Sequence, residues 1–411
     1  MNSSGPHSIF RILNLAAISF GYFLVLTGHT NAQVAIPWST LSNSPRSVAM
    51  GSCGVNIISP ETPIYSPGAL GIYALDHVLA GALPNNTDFH HELGTVPNDV
   101  NFAGNTYLRR RYQTWGAIAA PTYKLGKPDS TTQFRLSVGL AYSHIRWDWG
   151  TQVDNTLKVY DQVNCVSGAV GVEFRKFIRF GVGYTYRRIS SHLPFATRSI
   201  MDGELLQITS ASKVHDYGLV GQLNLHSLLP HKFYLGQSRK YFLHVEVTPS
   251  YGYVKSNVGD AMVYSDSASY DQFVSVVSEG PAIGAALKIN EAALLSFFWC
   301  SETQKRGHRE TRPHGIELGI GGILFLRQGD DVSKVDIGYK GTGFGLSLRG
   351  VTAWLNTFGV FNRIHGSIGE FVRRLDVSFD YARRKHVDDV TAGPYLVPDI
   401  KYYKVTISFA N

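Results

Sequence analysis

Apolar and polar positions alternate along most of the chain beyond residue 75. The clearest example has Phe134, Leu136, Val138, Leu140 and Tyr142 separated by small or polar residues. Successive side chains of a strand point to opposite faces, so this pattern predicts a strand with one apolar face and one small or polar face. The same alternation is clear over 178–187, 241–248, 375–382 and 402–409. It is weaker over 115–123, 157–174, 215–226, 281–289, 293–300, 315–325, 333–339 and 343–349.

Together with a first strand near 76–83, these segments predict about 14 strands, which fits a transmembrane antiparallel β-barrel. A soluble β-sandwich also has alternating strands and is the alternative. The small or polar face is rich in glycine and carries charge, which suits a wet or plugged lumen. Tyr and Phe flank many apolar stripes, as in the aromatic girdles of outer-membrane barrels. The sequence therefore favours an all-β barrel over residues 76–411.

Polar, turn-rich segments separate the predicted strands, and the longest cover 84–112, 188–212, 254–274, 301–314 and 383–399. Residues 351–371 are ambiguous. Val351, Trp354, Leu355 and Phe358 have helical spacing, but strand pairing is also compatible with the segment.

The N-terminus has the pattern of an export signal. A short polar start containing Arg11 precedes an apolar stretch from Ile12 to Leu26, and Thr30 and Ala32 provide the small residues of a cleavage site. We expect residues 1–32 to be removed on export through the inner membrane. A single membrane anchor is the alternative, but about 15 apolar residues are short for a helix that needs about 20.

Composition agrees with this class of protein. Charged residues make up only 17% of the 411, whereas aromatic residues make up 12% and there are 41 glycines. A mean hydropathy of −0.06 excludes a bundle of transmembrane helices. The formal charge of +7 is not concentrated in a long basic tract, so no nucleic-acid partner is expected. The three cysteines, Cys53, Cys165 and Cys300, are far apart in sequence and predict neither a disulfide framework nor a zinc site.

The segment after the export signal carries the most specific motif. Its first part runs from Ser44 through Arg46, Met50, Gly51 and Gly54, and its second part is Ser66-Pro67-Gly68-Ala69-Leu70. The pair resembles the start of PorV/PorQ-type outer-membrane proteins within the FadL-like group (OMPP1/FadL/TodX). That group has a small-Arg-small-x-x-Met-Gly-x-x-Gly motif followed by Asn-Pro-Ala-Gly-Leu, so Ser66 stands here in place of Asn.

The resemblance implies a 14-stranded barrel whose lumen holds an N-terminal hatch, which we place at residues 33–75. The hatch motif would comprise Arg46, Met50, Gly51, Gly54, Ser66 and Pro67. Glycine permits close backbone approach and positive φ, as a compact segment inside a narrow barrel requires. The alternative is that residues 33–75 form a periplasmic leader arm.

No residue set predicts an enzyme. Ser143-His144 and His215-Asp216 are neighbours on predicted strands, so their side chains should point to opposite faces and stay out of contact. His90-His91-Glu92 lacks the spacing of a metal site and is read as a solvated loop. The basic residues Lys305, Arg306, His308, Arg309 and Arg312 form either a lipid-headgroup contact or an ordinary solvated loop.

Three functions fit these features. The first is uptake of hydrophobic small molecules through a hatch-gated lumen in the outer membrane of a Gram-negative-type bacterium. The second is a protein-interaction component of a type IX-like secretion system, as PorV-type proteins are. The third is a general porin or structural barrel. The expected partners are outer-membrane lipid and the barrel-assembly machinery, with a hydrophobic small molecule or secretion-system proteins, and no cofactor is expected.

Overall fold

A computed structural model of the chain describes the residues on which the following sections rest. They are 44–59, 65–82, 87–91, 106–119, 123–125, 134–152, 157–195, 206–225, 233–235, 240–260, 262–264, 270–271, 275–307, 309–333, 339–360, 367–386 and 400–410. The predicted export signal, residues 1–32, lies outside them and stays a prediction.

Strands dominate the described chain. In chain order they are β1 (His77–Ala82), β2 (Thr87–His91), β3 (Thr106–Ala119), β4 (Tyr123–Leu125), β5 (Phe134–Gln152), β6 (Leu157–Phe174), β7 (Ile178–Phe195), β8 (Leu206–Leu223), β9 (Phe233–Leu235), β10 (Tyr241–Gly259), β11 (Met262–Tyr264), β12 (Tyr270–Asp271), β13 (Val276–Ile289), β14 (Ala292–Ser301), β15 (Thr303–Arg306), β16 (Arg309–Ile320), β17 (Leu324–Ser333), β18 (Tyr339–Ser347), β19 (Leu375–His386) and β20 (Ile400–Ala410).

Four helices lie in the described part of the chain. They are α1 (Pro45–Ala49), α2 (Pro67–Asp76), α3 (Leu348–Thr357) and α4 (Ser367–Arg374). Within the part of the chain that the structure describes, none of them is long and apolar enough to cross a membrane.

Fourteen of the strands pair antiparallel in a closed ring. The ring runs β1, β3, β5, β6, β7, β8, β10, β13, β14, β16, β17, β18, β19 and β20, and β20 pairs with β1 to close it. The closing register runs from Ala82 opposite Thr406 to His77 opposite Ala410. The prediction of about 14 strands in an antiparallel barrel is confirmed. Closure removes the unpaired edges that an open sheet would expose.

The apolar faces of the strands point outward. Leu140 on β5 and Val166 on β6 are 57% and 54% exposed. The residues that follow them in the sequence, Ala141 and Ser167, are buried. The small and polar residues therefore face the lumen, and the apolar residues form the outer surface. This alternation is that of a transmembrane barrel, whose apolar band contacts lipid.

We call the end at which β1 begins and β20 ends the terminal end, and the opposite end the loop end. Short turns at residues 175–177, 290–291 and 321–323 join neighbouring strands at the terminal end. Several ring strands have 18 or 19 residues, such as β6 and β10, although about 9–11 suffice to cross a bilayer. The ladders therefore continue toward the loop end beyond the apolar band.

This extension corrects the predicted loops. Residues 188–212, 254–274 and 301–314 were expected as connections, yet β7 reaches Phe195, β10 reaches Gly259 and β16 already begins at Arg309. Outward residues there include Arg188, Lys255 and Arg312, so the apolar alternation weakens before the backbone pairing ends.

Two further boundaries differ from the sequence interpretation. The predicted strand 315–325 is interrupted by a turn at Gly321 and Gly322, which have φ of 64° and 68°. The strand expected at 343–349 corresponds to β18, which runs from Tyr339 to Ser347. Most of the strand expected at 333–339 lies outside the described residues, and most of β17 was not predicted. Within the ambiguous segment 351–371, residues 351–357 belong to α3 and residues 367–371 belong to α4.

Candidate functional site

The described part of the N-terminal segment, residues 44–59 and 65–76, lies inside the barrel, and we call it the hatch. Helix α1 begins after Ser44, whose side chain accepts a hydrogen bond from the Ser47 amide, and Pro45 occupies its first turn. Helix α2 begins with Pro67 and is buried along most of its length. The Ser66 hydroxyl donates to the Val55 carbonyl at 2.7 Å and so ties the two arms of the hatch together.

Glycines on the barrel wall allow α2 to pack against the strand backbones. A Cβ atom added to Gly171 would lie 2.0 Å from the Gly71 carbonyl oxygen, and one added to Gly183 would lie 2.2 Å from the Pro67 carbonyl oxygen. These distances are far below van der Waals contact. The glycine-rich lumen face noted in the sequence is therefore the surface on which α2 rests.

Helix α1 and the turn after it rest on a second glycine face, formed by β16, β17 and β18. A Cβ atom on Gly341 would lie 2.0 Å from the Val48 carbonyl oxygen. Gly51 has φ of 71°, and a Cβ atom there would lie 2.4 Å from the Asp330 carbonyl oxygen. Both the left-handed backbone and the lack of space explain why glycine occupies this hatch position.

Charged groups join the α1 side of the hatch to the wall. Arg46 Nη2 lies 2.7 Å from Glu317 Oε1 on β16. The other oxygen of Glu317 lies 2.5 Å from Arg327 Nε on β17, and Arg327 also pairs with Asp380 on β19 at 2.5 Å. The side chains of Glu317 and Arg327 are 6% and 5% exposed, so Arg46 completes a buried network of alternating charge.

A second network fixes the end of α2. Arg179 on β7 pairs with Asp76 through two hydrogen bonds of 2.7 and 3.0 Å and with Glu173 at 2.8 Å. Arg135 on β5 pairs with the same Glu173 and donates to the Leu75 carbonyl at 2.6 Å. The hatch is thus held by ion pairs at two separate places on the ring.

The middle of the hatch is held by Glu302, which follows the last residue of β14. The amides of Gly54 and Val55 each donate to Glu302 Oε1 at 2.7 Å. Burial raises the pKa of the Glu302 carboxyl to about 7, and the two amide hydrogen bonds act against that shift. Nearby, Asn56 donates to the Gly280 carbonyl at 2.7 Å.

The six predicted hatch-motif residues all lie in the lumen. Arg46 joins the ion network, Gly51 packs on β17 and the Gly54 amide reaches Glu302. Met50 is fully buried, and Ser66 and Pro67 lie at the start of α2. Residues 46–51 contact β16 to β18, whereas Pro67 contacts β7 and β8, so the two ends of the motif pack on different strands. Their role in gating stays a prediction.

Sequence reasoning missed the wall residues that meet the hatch. Glu302, Glu317 and Arg327 lie more than two hundred residues from Gly54 and Arg46. One usable signal was present, because Glu317 interrupts an otherwise small lumen-facing row with a charge. A charged residue on a face that is buried requires a partner.

The candidate chemical pairs are separated as expected. The Asp216 side chain is fully buried against Arg187, whereas His215 on the other face contacts Tyr184. Ser143 is buried, and His144 instead hydrogen-bonds Asn164 at 2.7 Å.

Two other segments that were predicted as loops include strand residues. The backbone of His90 and His91 belongs to β2 rather than to a loop, and Glu92 lies outside the described residues. The basic segment around Lys305 and Arg312 is a hairpin of β15 and β16, in which Arg312 pairs with Glu310 at 2.9 Å. A role in binding lipid headgroups stays a prediction.

A cavity of about 420 Å³ lies between the hatch and the terminal end of the barrel. Ile58 and Tyr73 of the hatch and Phe325 of the wall provide apolar surface. Much of the remaining lining is charged, with Arg349 and Asp376 near the exit and the Arg46, Glu317, Arg327 and Asp380 network deeper inside. Helix α3 borders the cavity. Its Trp354 Nε1 donates to the Gly321 carbonyl at 2.9 Å, which fixes the helix on the β16–β17 turn.

No family model matches this chain, and no curated protein matches it. Among solved structures it is similar to the Ralstonia pickettii toluene transporter TbuX, with 11% identity over 89% of this chain and 97% of that chain and a TM-score of 0.41. It is also similar to the Pseudomonas putida toluene transporter TodX, with 9% identity over 89% and 97% and a TM-score of 0.39. The β domain of the Bordetella autotransporter BrkA shows 9% identity over 82% and 98% and a TM-score of 0.35.

Proposed function

We propose that this chain is an outer-membrane barrel that takes up hydrophobic small molecules through a lumen gated by the hatch. The observation that carries the proposal is the hatch itself. It fills the lumen between two glycine faces and leaves a cavity of about 420 Å³ on its terminal-end side.

The outer surface supports the membrane location. A closed antiparallel ring satisfies its backbone groups internally, as a segment within a bilayer must. Leu140, Val166 and Leu295 expose about half of their surface on the outside of that ring. Such a barrel would contact outer-membrane lipid directly and would need the barrel-assembly machinery to insert. PorV-type membership is part of the same proposal, because it rests on the motif around Arg46 and Ser66 alone.

The lumen favours a gated channel over a general porin. A porin keeps an open polar channel, whereas here Met50, Leu70 and Ile72 are fully buried in the lumen. Opening therefore requires part of the hatch to move. The contacts of Arg46 and of the Gly54 and Val55 amides are the ones that such a movement would break.

Only the apolar part of the cavity supports a substrate with apolar surface, because charged residues make up much of the remaining lining. Ile58, Tyr73 and Phe325 would contact such a molecule once it passes the hatch. The charged residues near the exit, Arg349 and Asp376, would favour its release toward water. No group in this path needs to transfer a proton or form a covalent bond.

A second candidate is a protein-interaction component of a secretion machine. The observation that favours it is an exposed apolar rim at the terminal end, where Phe233, Phe358 and Phe371 are 69%, 59% and 55% exposed. Exposed apolar surface of this kind fits either the membrane interface or a protein partner.

Single-channel recording in planar bilayers tests the proposal. The full-length mature chain should be silent or open rarely, and a variant lacking residues 33–75 should conduct steadily. Liposomes containing the deletion variant should also take up a small hydrophobic fluorophore faster than liposomes with the full-length chain. Large steady conductance of the full-length chain would indicate a porin. Correctly folded forms that both stay silent would favour the interaction role.

A further inference from the structure

Two cysteines that lie far apart in the sequence meet where the hatch contacts the wall. Cys53 belongs to the hatch, and Cys300 faces the lumen from β14. Both are fully buried in one apolar cluster with Met50, Ile57 and Ala282. The Cys53 thiol lies 3.9 Å from the Cys300 carbonyl oxygen and also interacts with the Cys300 thiol.

We propose that Cys53 and Cys300 are a disulfide-forming pair that covalently locks the hatch to the barrel wall. The inference rests on the proposed outer-membrane function, because export places both thiols in an oxidising compartment, where disulfides form and persist. A bond between these residues would hold the centre of the hatch directly beside the contacts of Glu302 with Gly54 and Val55.

The chemistry is thiol–disulfide exchange with a disulfide oxidant, such as a periplasmic dithiol–disulfide protein or oxidised glutathione. The Cys53 thiolate attacks one sulfur of the oxidant, forms a mixed disulfide and releases one thiol. The Cys300 thiolate then attacks the Cys53 sulfur and releases the second thiol. The pair loses two electrons and two protons, and the oxidant disulfide is reduced to two thiols.

The docked state protects the reduced pair. Burial raises the pKa of the Cys53 thiol well above its usual range, so little thiolate is present while the hatch is in place. Oxidation should therefore occur while the hatch is undocked, during assembly or during opening. Docking then brings the two sulfurs together, so the disulfide captures the closed state.

Cys165 provides an internal control. It is also buried, but it lies on β6 at a distance along the ring from β14, and it is not a member of the cluster around Cys53. Three cysteines allow three possible pairings. The proposal selects only the pairing of Cys53 with Cys300 and leaves the thiol of Cys165 free.

The test is to refold the full mature chain into detergent micelles in a buffer of oxidised and reduced glutathione. Thiols are then counted after denaturation, and digestion without reductant identifies the linked peptides. We expect one free thiol instead of three, and a linked pair of peptides containing Cys53 and Cys300. Cys165→Ala should give no free thiol, whereas Cys300→Ala should retain Cys53 and Cys165 without an internal disulfide. Intact mass separates an internal disulfide, which loses two hydrogens, from a glutathione adduct.

Three free thiols after oxidative refolding, or a dominant pairing that includes Cys165, would overturn the proposal. Bilayer recordings test the locking. The oxidised chain should open at least about tenfold less often than the same chain after reduction, because the bond holds the hatch on the wall. Equal opening frequencies despite a formed disulfide would refute the lock. Failure of the variant lacking residues 33–75 to conduct would instead contradict the proposed channel, and it would leave the pairing result intact.

Discussion

The backbones of Gly71 in the hatch and Gly171 in the barrel wall are in direct contact. A Cβ atom on Gly171 would lie 2.0 Å from the Gly71 carbonyl oxygen, and one on Gly71 would lie 2.4 Å from the Val170 carbonyl oxygen. Neither neighbour is the end of a flexible side chain, so backbone would have to move. The fit between α2 and β6 therefore depends on the absence of side chains at both positions.

Replacing Gly171 by alanine should displace α2 without breaking the ring. We expect Gly171→Ala to destabilise the docked hatch by about 1–3 kcal/mol, as overpacking of a close-packed interface does. Steady or frequent conductance in planar bilayers should accompany the change, because α2 fills the lumen beside β5 to β8.

Gly168→Ala is the matched control on the same strand. A Cβ atom at Gly168 would meet only the Leu140 side chain, at 3.8 Å, an ordinary contact on the outer face. This variant should remain silent and change the free energy of unfolding by less than about 0.5 kcal/mol. Equal behaviour of the two variants would show that α2 does not occlude the lumen.

Removing Arg46 should loosen the α1 side of the hatch. Arg46→Gln takes one cation away from Glu317, which keeps its contact with Arg327. We expect a loss of about 2 kcal/mol in the unfolding free energy, typical of a partly buried hydrogen bond between charged groups. Limited proteolysis of the N-terminal segment should also become faster.

The surface pair of Arg312 and Glu310 offers the control for charge alone. Its side chains are 62% and 38% exposed, so Arg312→Gln should change stability by less than about 1 kcal/mol. A loss as large as that of Arg46→Gln would contradict a specific role for the buried network.

Hatch docking should depend on pH through Glu302. Its pKa is about 7 when the hatch is docked, compared with 4.5 for a hydrated glutamate, so docking takes up a proton between these values. Docking is therefore strongest below pH 4.5, weakens as the pH rises and becomes constant above about pH 7. The opening frequency in bilayers should increase over that window by at most about tenfold per pH unit, the limit for one proton.

Glu302→Gln should remove this pH dependence, since its amide oxygen can still accept from the Gly54 and Val55 amides but does not titrate. Glu310→Gln changes an exposed carboxylate on the neighbouring hairpin and should retain the dependence. A wild-type opening frequency that stays flat between pH 4.5 and 7 would rule out Glu302 as the titrating contact.

The sequence predicted the strands best where the apolar band is continuous. Residues 178–187 were predicted as a strand and lie within β7, because the outward residues Ile178, Phe180, Val182 and Tyr184 form a continuous apolar stripe. Most of strand β17 was missed because Gln328 interrupts the apolar residues on its outward face. Pairing in the ladder, rather than contact with lipid, determines the strand there.

The hatch was predictable only as a motif. Arg46 and Gly54 stood out from local spacing, but their partners Glu317 and Glu302 are set by closure of the ring. The same reason hid the contact of Cys53 with Cys300, since their wide spacing in the sequence predicted no disulfide framework. Local sequence patterns predict the strands. Contacts across the lumen depend on the order and register of all fourteen strands in the ring.

Contact of the outer surface with lipid gives the last prediction. Leu140 is 57% exposed on β5, between the exposed residues Val138 and Tyr142. If this face contacts hydrocarbon, Leu140→Arg should destabilise the barrel folded in liposomes by about 2–4 kcal/mol. Gln328→Arg, on an exposed polar position of β17, should change it by less than about 1 kcal/mol because interfacial charges are tolerated. Urea titration of both variants in liposomes measures the difference. In a soluble sandwich the arginine at position 140 would face water, so a near-neutral Leu140→Arg would contradict the membrane location.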